Sequence, residues 1–588
     1  MKLSPIPDWA SRRQLALGAL IVWLISFLAT IPAIPRLLRT VGDTDDALRL
    51  TMVRDLAGGR GWFDQRLSRL QPPQGLYMHW SRLVDGAEAA LLKLFATVLP
   101  ADQAEMAMRM TWPVLWVLPL TAAVLLIARR LGGGRAVFMA IVTAALSFHA
   151  SGEFTPGRID HHGVQITCCL LALAAAAQRP ARVAWAAACG LASALGLAVG
   201  LEALPFLALI GATLGCWWAF GHRSGRLLAG YGAALGGGVL ALHALQTPPE
   251  RWMTPACDAL AINLVAGLGV TGAGLCAAAM LGARWGRPAR LGMLGVVGIL
   301  AAAVYLAVEP LCAHGPMAAL DPELKAVWLA NVREMTPWLV LIGRDPALAV
   351  AMAAPAVMGM AGWLWLGRRA DIRANPAWQL TGVLLFASLP LTLQAGRYIQ
   401  YSVWFAAPVT AAALVDFADV LLAGLMVPTV LIFAAATMVP GLAIGRLGAG
   451  QGHRPGLGGA TAADHCTDTR ALQPLAKLPP GLVLSEIDEG PYILADTPDA
   501  ALQAPYHRMG WGIKEARAAL GAPPAEAERR VRALKVTYVL NCAAHARQSD
   551  RRSLSADSLQ KTLDVGQVPA WLEPLSQPRE PLQIFRVR

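Results

Sequence analysis

The sequence predicts a membrane all-α protein of about thirteen transmembrane helices, followed by a C-terminal α/β domain outside the cytoplasm. Three observations predict it. Apolar stretches of roughly 17–25 residues recur from Leu15 to Pro440, long enough to cross a hydrocarbon core of roughly 30 Å as helices. The 588-residue chain is 56% hydrophobic and only 15% charged, where soluble domains carry about 25% charged residues, yet after Gly441 the composition turns ordinary. The basic residues, finally, gather in short clusters between apolar runs rather than along a groove. That patterning reports topology, and it excludes a nucleic-acid-binding surface.

The first apolar run, Leu15–Ile34, follows Lys2, Arg12 and Arg13 and ends in IPAIPRLL without a small-x-small cleavage site, so it reads as a retained span. Further spans are expected at 106–128, 136–151, 164–178, 183–200, 204–221, 227–245, 258–281, 291–308, 346–366, 377–394, 399–415 and 419–440. Basic loops stay cytoplasmic. With the N-terminus inside, the clusters Arg129/Arg130/Arg135, Arg179/Arg182, Arg223/Arg226, Arg284/Arg287/Arg290 and Arg368/Arg369/Arg373 all fall inside. An odd number of spans then places residues 442–588 outside, as a periplasmic domain behind a transmembrane domain of 1–441. The segment 84–100 carries Asp85, Glu88 and Lys93 and is expected to lie along the membrane surface as an amphipathic helix. Outer loops remain at 35–105, 152–163 and 309–345.

Five of nine cysteines fall in spans; Cys257, Cys312, Cys466 and Cys542 fall on the outer side. An oxidising compartment permits disulfides there, with Cys466–Cys542 and Cys257–Cys312 as the expected pairs, reduced thiols being the alternative. In the last domain LVLSEID, PYILAD and VTYVLNC read as strands and 513–520 and 525–534 as helices. A Gly-rich connector spans 443–460.

Chemistry-bearing residues collect on the outer face. Asp43, Asp45 and Asp46 open the first loop; such acids can ligate a hard cation or occupy the first turn of a helix that starts there. FTPGRIDHHGVQ places Asp160, His161 and His162 at a span boundary, where ionisable groups are costly and mark function. Neighbouring histidines on a helix share no face, so only one is expected to serve a metal. Glu334 stands in the later loop, and Arg397 and Tyr401 stand at an outer edge in QAGRYIQY, where Arg suits a phosphate or simply snorkels. Glu202 is expected at an outer turn. No P-loop, GxSxG or paired CxxC occurs.

Together these segments resemble, in chain order, the GT-C glycosyltransferases, and most the catalytic subunit of oligosaccharyltransferase. TDDALRLTMVRDLAGG resembles the family's first acidic motif with Asp45 on its metal-binding, acceptor-contacting Asp. GRIDHHG resembles the second, with Asp160 first and His162 in place of the second acid. NVRE, ending in Glu334, resembles the later-loop motif. VLSEIDEGPY resembles the C-terminal motif at Asp488 and Gly490, although Glu486 and Ile487 replace its paired Trp residues. That departure argues against ordinary Asn-X-Ser/Thr acceptors.

The resemblance implies a membrane glycosyltransferase of the inner membrane. It would move a sugar or oligosaccharide from a polyprenyl-phosphate or polyprenyl-pyrophosphate donor to a protein, lipid or glycan acceptor, with inversion. Asp45 and Glu334 are then the expected catalytic residues, and Asp43, Asp45, Asp160 and His162 the expected ligands of a divalent cation (Mn²⁺ or Mg²⁺). Arg397 and Tyr401 would bind donor phosphate, and Asp488, Gly490 and His507 would face the acceptor. A polytopic transporter or lipid flippase and a noncatalytic envelope-assembly scaffold are the competing classes. The former lacks an evident inverted repeat.

Overall fold

A computed structural model describes residues 8–148, 151–329, 332–421, 425, 431, 466–542, 554–577 and 580–588. The span expected at 419–440 and the connector at 443–460 therefore lie almost wholly outside the described residues, as does Asn331 of the later loop.

The chain before residue 422 is helical: α1 (Asp8–Leu28), α2 (Ile34–Leu37), α3 (Thr44–Ala57), α4 (Arg82–Ala96), α5 (Ala101–Ser147), α6 (His162–Ala176), α7 (Val183–Val199), α8 (Leu204–Ala219), α9 (Gly225–Gln246), α10 (Ile262–Leu281), α11 (Arg287–Val308), α12 (Pro322–Val327), α13 (Trp338–Arg344), α14 (Pro346–Leu366), α15 (Ala370–Arg373), α16 (Pro376–Gln394) and α17 (Ile399–Leu421). Eight described helices are long and apolar enough to cross a membrane, and α6, α7 and α8 are shorter apolar helices. Apolar side chains face outward along them. On α11, Val296, Ile299 and Leu300 are more than half exposed, as lipid contact requires and water does not favour.

The 47-residue α5 bends at Gly132 and Gly133, the latter at φ +69°, a conformation that only glycine adopts without strain. The bend packs on Ala412, and Arg135 just after it pairs with Asp419 near the end of α17. Glu105 on the first arm instead pairs with Arg54 on α3, and Phe148 meets Trp404 early in α17 edge to face. The arms thus fold back on each other, which accounts for two expected spans in one helical run.

α4 does not cross. Its 15 residues span about 22 Å, and its charged side turns inward: Asp85 is fully buried against Arg49 at 2.6 Å and Arg82 at 3.3 Å. Leu94 and Val98 at its end point outward, 61% and 78% exposed.

The first loop carries a two-stranded hairpin of β1 (Arg66–Leu67) and β2 (Leu76–Tyr77), and the C-terminal residues form a separate five-stranded mixed sheet. β3 (Leu482–Leu484) runs parallel to β4 (Ala500–Ala501) and β5 (Tyr538–Cys542); β7 (Leu582–Val587) runs antiparallel to β5 and β6 (Leu572–Pro574). The helices Gly510–Gly521 and Pro524–Ala533 are as the sequence predicts. PYILAD is not a strand, however. It lies in a helix, Gly490–Asp496, with Pro491 in its first turn, where a fixed φ and a missing N–H favour helix over sheet. Two disulfides, Cys257–Cys312 and Cys466–Cys542, match the expected pairs.

This sheet shares its core with the first loop. Leu48, Leu50 and Met52 of α3 are buried in one cluster with Val483, Tyr492, Ile493 and Tyr538. Arg69 donates to the carbonyls of Leu494, Thr497 and Asp499 at 2.9, 2.9 and 3.0 Å. That packing carries α3 to the mouth of the helix bundle.

Candidate active site

The site begins at the N-terminus of α3. Asp43 is its N-cap: its Oδ1 accepts from the backbone N–H of Asp45 and of Asp46 at 3.0 Å each, and Asp46 Oδ2 accepts from Asp43 N–H at 3.1 Å. This reciprocal capping box satisfies orphan N–H groups of the first turn. It leaves Asp45, between the two, as the acid of the triplet whose side chain the cap does not use. Asp46 Oδ1 also accepts from Ile159 N–H at 2.8 Å, which docks the 152–163 loop on α3.

Arg158 of that loop is the local countercharge. It pairs with Asp43, with Asp46 at 3.2 Å, with Glu153 at 3.2 Å and with Asp160 at 3.3 Å. Burial, with Asp43 and Asp160 nearby, still pushes the Asp46 carboxyl up to about 8 against the pull of Arg158. Asp45 is raised well above the usual carboxylate range, by burial first and then by Asp160, Asp43 and Glu334. Carboxylates from three separate segments thus come close enough to act on one another. Burial opposes ionisation of Asp160 too, but His161, His162 and Arg158 outweigh it and hold that carboxyl well below its usual range.

Both histidines turn to Asp160. His161 Nδ1 lies 2.5 Å from its Oδ1 and His162 Nε2 lies 3.4 Å from its Oδ2. The expectation that adjacent histidines diverge fails here for a local reason. His161 is the N-cap residue and His162 the first residue of α6, so the pair sits where the chain turns into the helix, with rings 4.4 Å apart. Asp160, His161 and His162 each bring one ligand atom within 4.8 Å of the others. Carboxylate and imidazole donors so placed, with Asp45 beside them, fit a divalent cation.

From His162 the network continues to the later loop and the bundle. Its Nε2 is 3.8 Å from Glu334 Oε2, Glu334 is 3.7 Å from Arg397, and Arg397 holds Glu202 at 2.9 Å. Gln165 closes the ring, donating to Glu202 at 2.6 Å while its own oxygen lies 3.1 Å from His162 Nδ1. Tyr401 lies one helical turn past Arg397 with its hydroxyl buried and unpartnered.

Two cavities meet at this ring. One, of about 390 Å³, is lined by His162, Glu202, Glu334, Arg397 and Tyr401 on its polar side and by Ile166, Leu341, Leu348 and Met352 on its apolar side. The other, of about 200 Å³, runs from His161, Glu202 and Arg397 to His79, Asp258 and His507.

The C-terminal motif borders the acids from the other side. Tyr492 donates to Gly42 O at 2.9 Å, and Tyr506 donates to Thr44 O at 3.0 Å within hydrogen-bonding reach of Asp45. Asp488 adds to the negative field that Asp43, Asp46 and Asp45 impose on the Tyr492 phenol. Gly490 presses on the Gln503 carbonyl so closely that any Cβ would collide; its identity answers to packing. His507 stands apart from the acids, paired with Asp258 at 2.6 Å.

Arg158, Tyr506 and Asp258 are not among the residues the sequence singles out, whereas Asp43 and Asp46 stand at the N-cap and N3 spacing of a helix start. Arg158 lies two residues before Asp160 in the motif. Nothing local marks Tyr506 or Asp258, which only the tertiary fold brings in.

No protein-family model matches the sequence, and no curated protein matches it. Solved structures do. The chain is similar to the archaeal oligosaccharyltransferase AglB from Archaeoglobus fulgidus in complex with an inhibitory peptide and a dolichol-phosphate, at 14% identity and TM-score 0.66, over 95% of this chain and 72% of that one. A complex of the Archaeoglobus fulgidus enzyme with Zn and sulfate aligns at 16% identity and TM-score 0.58, over 92% and 69%. The arabinofuranosyltransferase AftD from Mycobacteria aligns at 14% identity and TM-score 0.50, over all of this chain and 42% of that one. At such identities the likeness is one of fold, and over most of its length this multi-pass membrane chain has the fold of GT-C glycosyltransferases.

Proposed function

We propose that the protein is an inverting glycosyltransferase that moves a sugar or oligosaccharide from a polyprenyl-phosphate or polyprenyl-pyrophosphate donor to an acceptor at the outer face of the inner membrane. The observation that carries it is the convergence of Asp45, Asp160 and Glu334, from three separate loops, beside an apolar-walled cavity edged by Arg397. A lipid-linked donor needs that combination: an apolar wall for its tail and a cation at its phosphate. The archaeal enzyme of the same fold binds dolichol-phosphate and a peptide, which supports a lipid donor here.

The expected topology follows the same reading. Twelve of the thirteen expected crossings would fall to the described helices, counting the short α6–α8 and both arms of α5; the one expected at 419–440 lies almost wholly outside the described residues. The N-terminus is then cytoplasmic, and a transmembrane domain of 1–441 is followed by a periplasmic domain of 442–588.

In the proposed reaction Asp45 orients and accepts the proton of the acceptor nucleophile. Arg397, fixed by Glu202, binds the donor phosphate by charge-assisted hydrogen bonds, with Tyr401 offering its free hydroxyl beside it. Glu334 positions the acceptor and keeps His162 and Arg397 in register. Asp45, Asp160 and His162 would hold a divalent cation, with Asp43 fixing the geometry through Arg158; bound there, the ion would stabilise phosphate charge. Asp488 and the segment around Gly490 and His507 form the acceptor side.

Incubating the purified protein with a panel of labelled lipid-linked sugars, with and without Mn²⁺, and weighing the products tests this. Product from the wild type and at least a ~10²-fold loss in Asp45→Ala at normal expression and melting is the expected result. Undiminished transfer by Asp45→Ala refutes the assignment.

A further inference from the structure

We propose that His79, Asp258 and His507 form a second metal site, for a transition-metal ion such as Zn²⁺, distinct from the acid cluster at Asp45 and Asp160. Each of the three brings one ligand atom within 4.8 Å of the others. Two imidazoles and one carboxylate are the donor set of many four-coordinate zinc sites, with the last position left to water or a ligand. That position would face the cavity of about 200 Å³ that these three residues line together with Arg397 and Glu202.

Two features argue for a ligand rather than a closed hydrogen-bond network. His507 Nε2 already meets Asp258 Oδ2 at 2.6 Å, but His79 Nδ1 is buried with no hydrogen-bond partner, and its ring stands edge-on to His507 at 4.7 Å. A buried ring nitrogen left unpaired is costly; a metal between the rings would use it. Arg508 supplies the outer support that ligating carboxylates usually have. It grips Asp258 at 2.6 and 2.8 Å and anchors itself on Tyr77 O at 3.1 Å.

The three residues come from three parts of the chain. His79 follows β2 in the first loop, Asp258 adjoins the Cys257–Cys312 disulfide, and His507 lies two residues before Met509, the N-cap of the helix Gly510–Gly521. One ion would therefore clip the C-terminal residues to two outer loops. This inference does not depend on the sugar-transfer reading.

Tag-free protein, stripped with a chelator and desalted, is titrated with Zn²⁺ against a chromophoric chelator and, separately, with Co²⁺. The wild type should hold one more tightly bound equivalent than either His79→Gln or His507→Gln. Its Co²⁺ form should show the visible absorption of a four-coordinate site, absent from both variants and present in Asp160→Asn. Equal stoichiometry and equal spectra in wild type and His79→Gln overturn the proposal, as does a wild type that holds no ion here. Should His507→Gln fail to fold, His79→Gln decides alone, since its Nδ1 has no hydrogen bond to lose.

Discussion

At the far end of α14 and α17, Asp416 accepts from Arg369 at 2.9 Å and from Trp365 at 2.9 Å, and Arg369 pairs with Asp371 at 2.8 Å, the arginines half exposed. At the near end, about 30 Å away along the 21 residues of α14, Arg397 and Glu202 pair while about one-fifth exposed and Glu334 is more open, but Asp46 and Asp160 beside them are buried. Residue types are the same at both ends. Solvation differs. The far end satisfies its charges with neighbours and water, and such pairs contribute about 0–1 kcal/mol each. The near end crowds carboxylates under Arg158 and leaves the Tyr401 hydroxyl and His79 Nδ1 without partners. Burial without full satisfaction, rather than charge itself, is what distinguishes the near end from the far one.

The largest effect expected from breaking this comparison lies just behind the site. Arg49, Arg82 and Asp85 are all buried, and Arg49 also reaches His161 at 3.3 Å and stacks over Trp80 at 4.6 Å. Asp85→Ala removes the carboxylate that two buried guanidinium groups share, leaving Arg82 on backbone carbonyls and Arg49 with Asp160 at 3.9 Å, and should destabilise by about 3–5 kcal/mol, read as a large fall in melting temperature or in folded yield in detergent. Arg369→Ala at the other end should change stability by less than about 0.5 kcal/mol. Equal effects at the two ends would erase the distinction.

A sharper probe acts on the ring itself. Arg397→Lys keeps the charge but loses the fork that reaches Glu202 and Glu334 together. Transfer efficiency should fall roughly 10- to 100-fold, expressed mainly in donor KM, with melting little changed. A purely structural role would move melting and leave KM alone.

The legible parts of this protein were those written in local pattern. Spans follow from apolar run length, and the four cysteines that form disulfides are those outside the expected spans, though which pairs with which does not follow from that. Asp45, Asp160 and Glu334 could be picked out because each sits in a short motif at a loop. PYILAD misled because its apolar run is too short for periodicity to separate strand from helix, and Pro491 at a first turn decided it. The inward turn of Asp85 and Glu88 on α4 could not be read either. Amphipathic pattern names two faces without saying which one meets protein, and here the partner, Arg49, lies on another helix.

A more specific effect than either concerns a single carboxyl. Asp496 closes the helix Gly490–Asp496, and burial, helped by Glu105 and opposed by Arg54 and Thr469, raises its carboxyl to about 6. Its unfolded value is near 3.9. Between those values the folded chain binds the proton and the unfolded chain does not, so this group's contribution to stability falls as pH rises from about 4 to about 6 and stays low above. Asp496→Asn removes that penalty. At pH 8 its melting temperature should exceed the wild type's by about 1–2 °C, and at pH 4 the two should coincide. A gain that persists unchanged at pH 4 would assign the effect to packing. No gain at pH 8 would mean that Arg54, whose guanidinium also grips Glu105 at 2.7 Å, already compensates the charge in full. Asp496 would then belong with the satisfied ion pairs of the far end rather than with the strained carboxylates of the site.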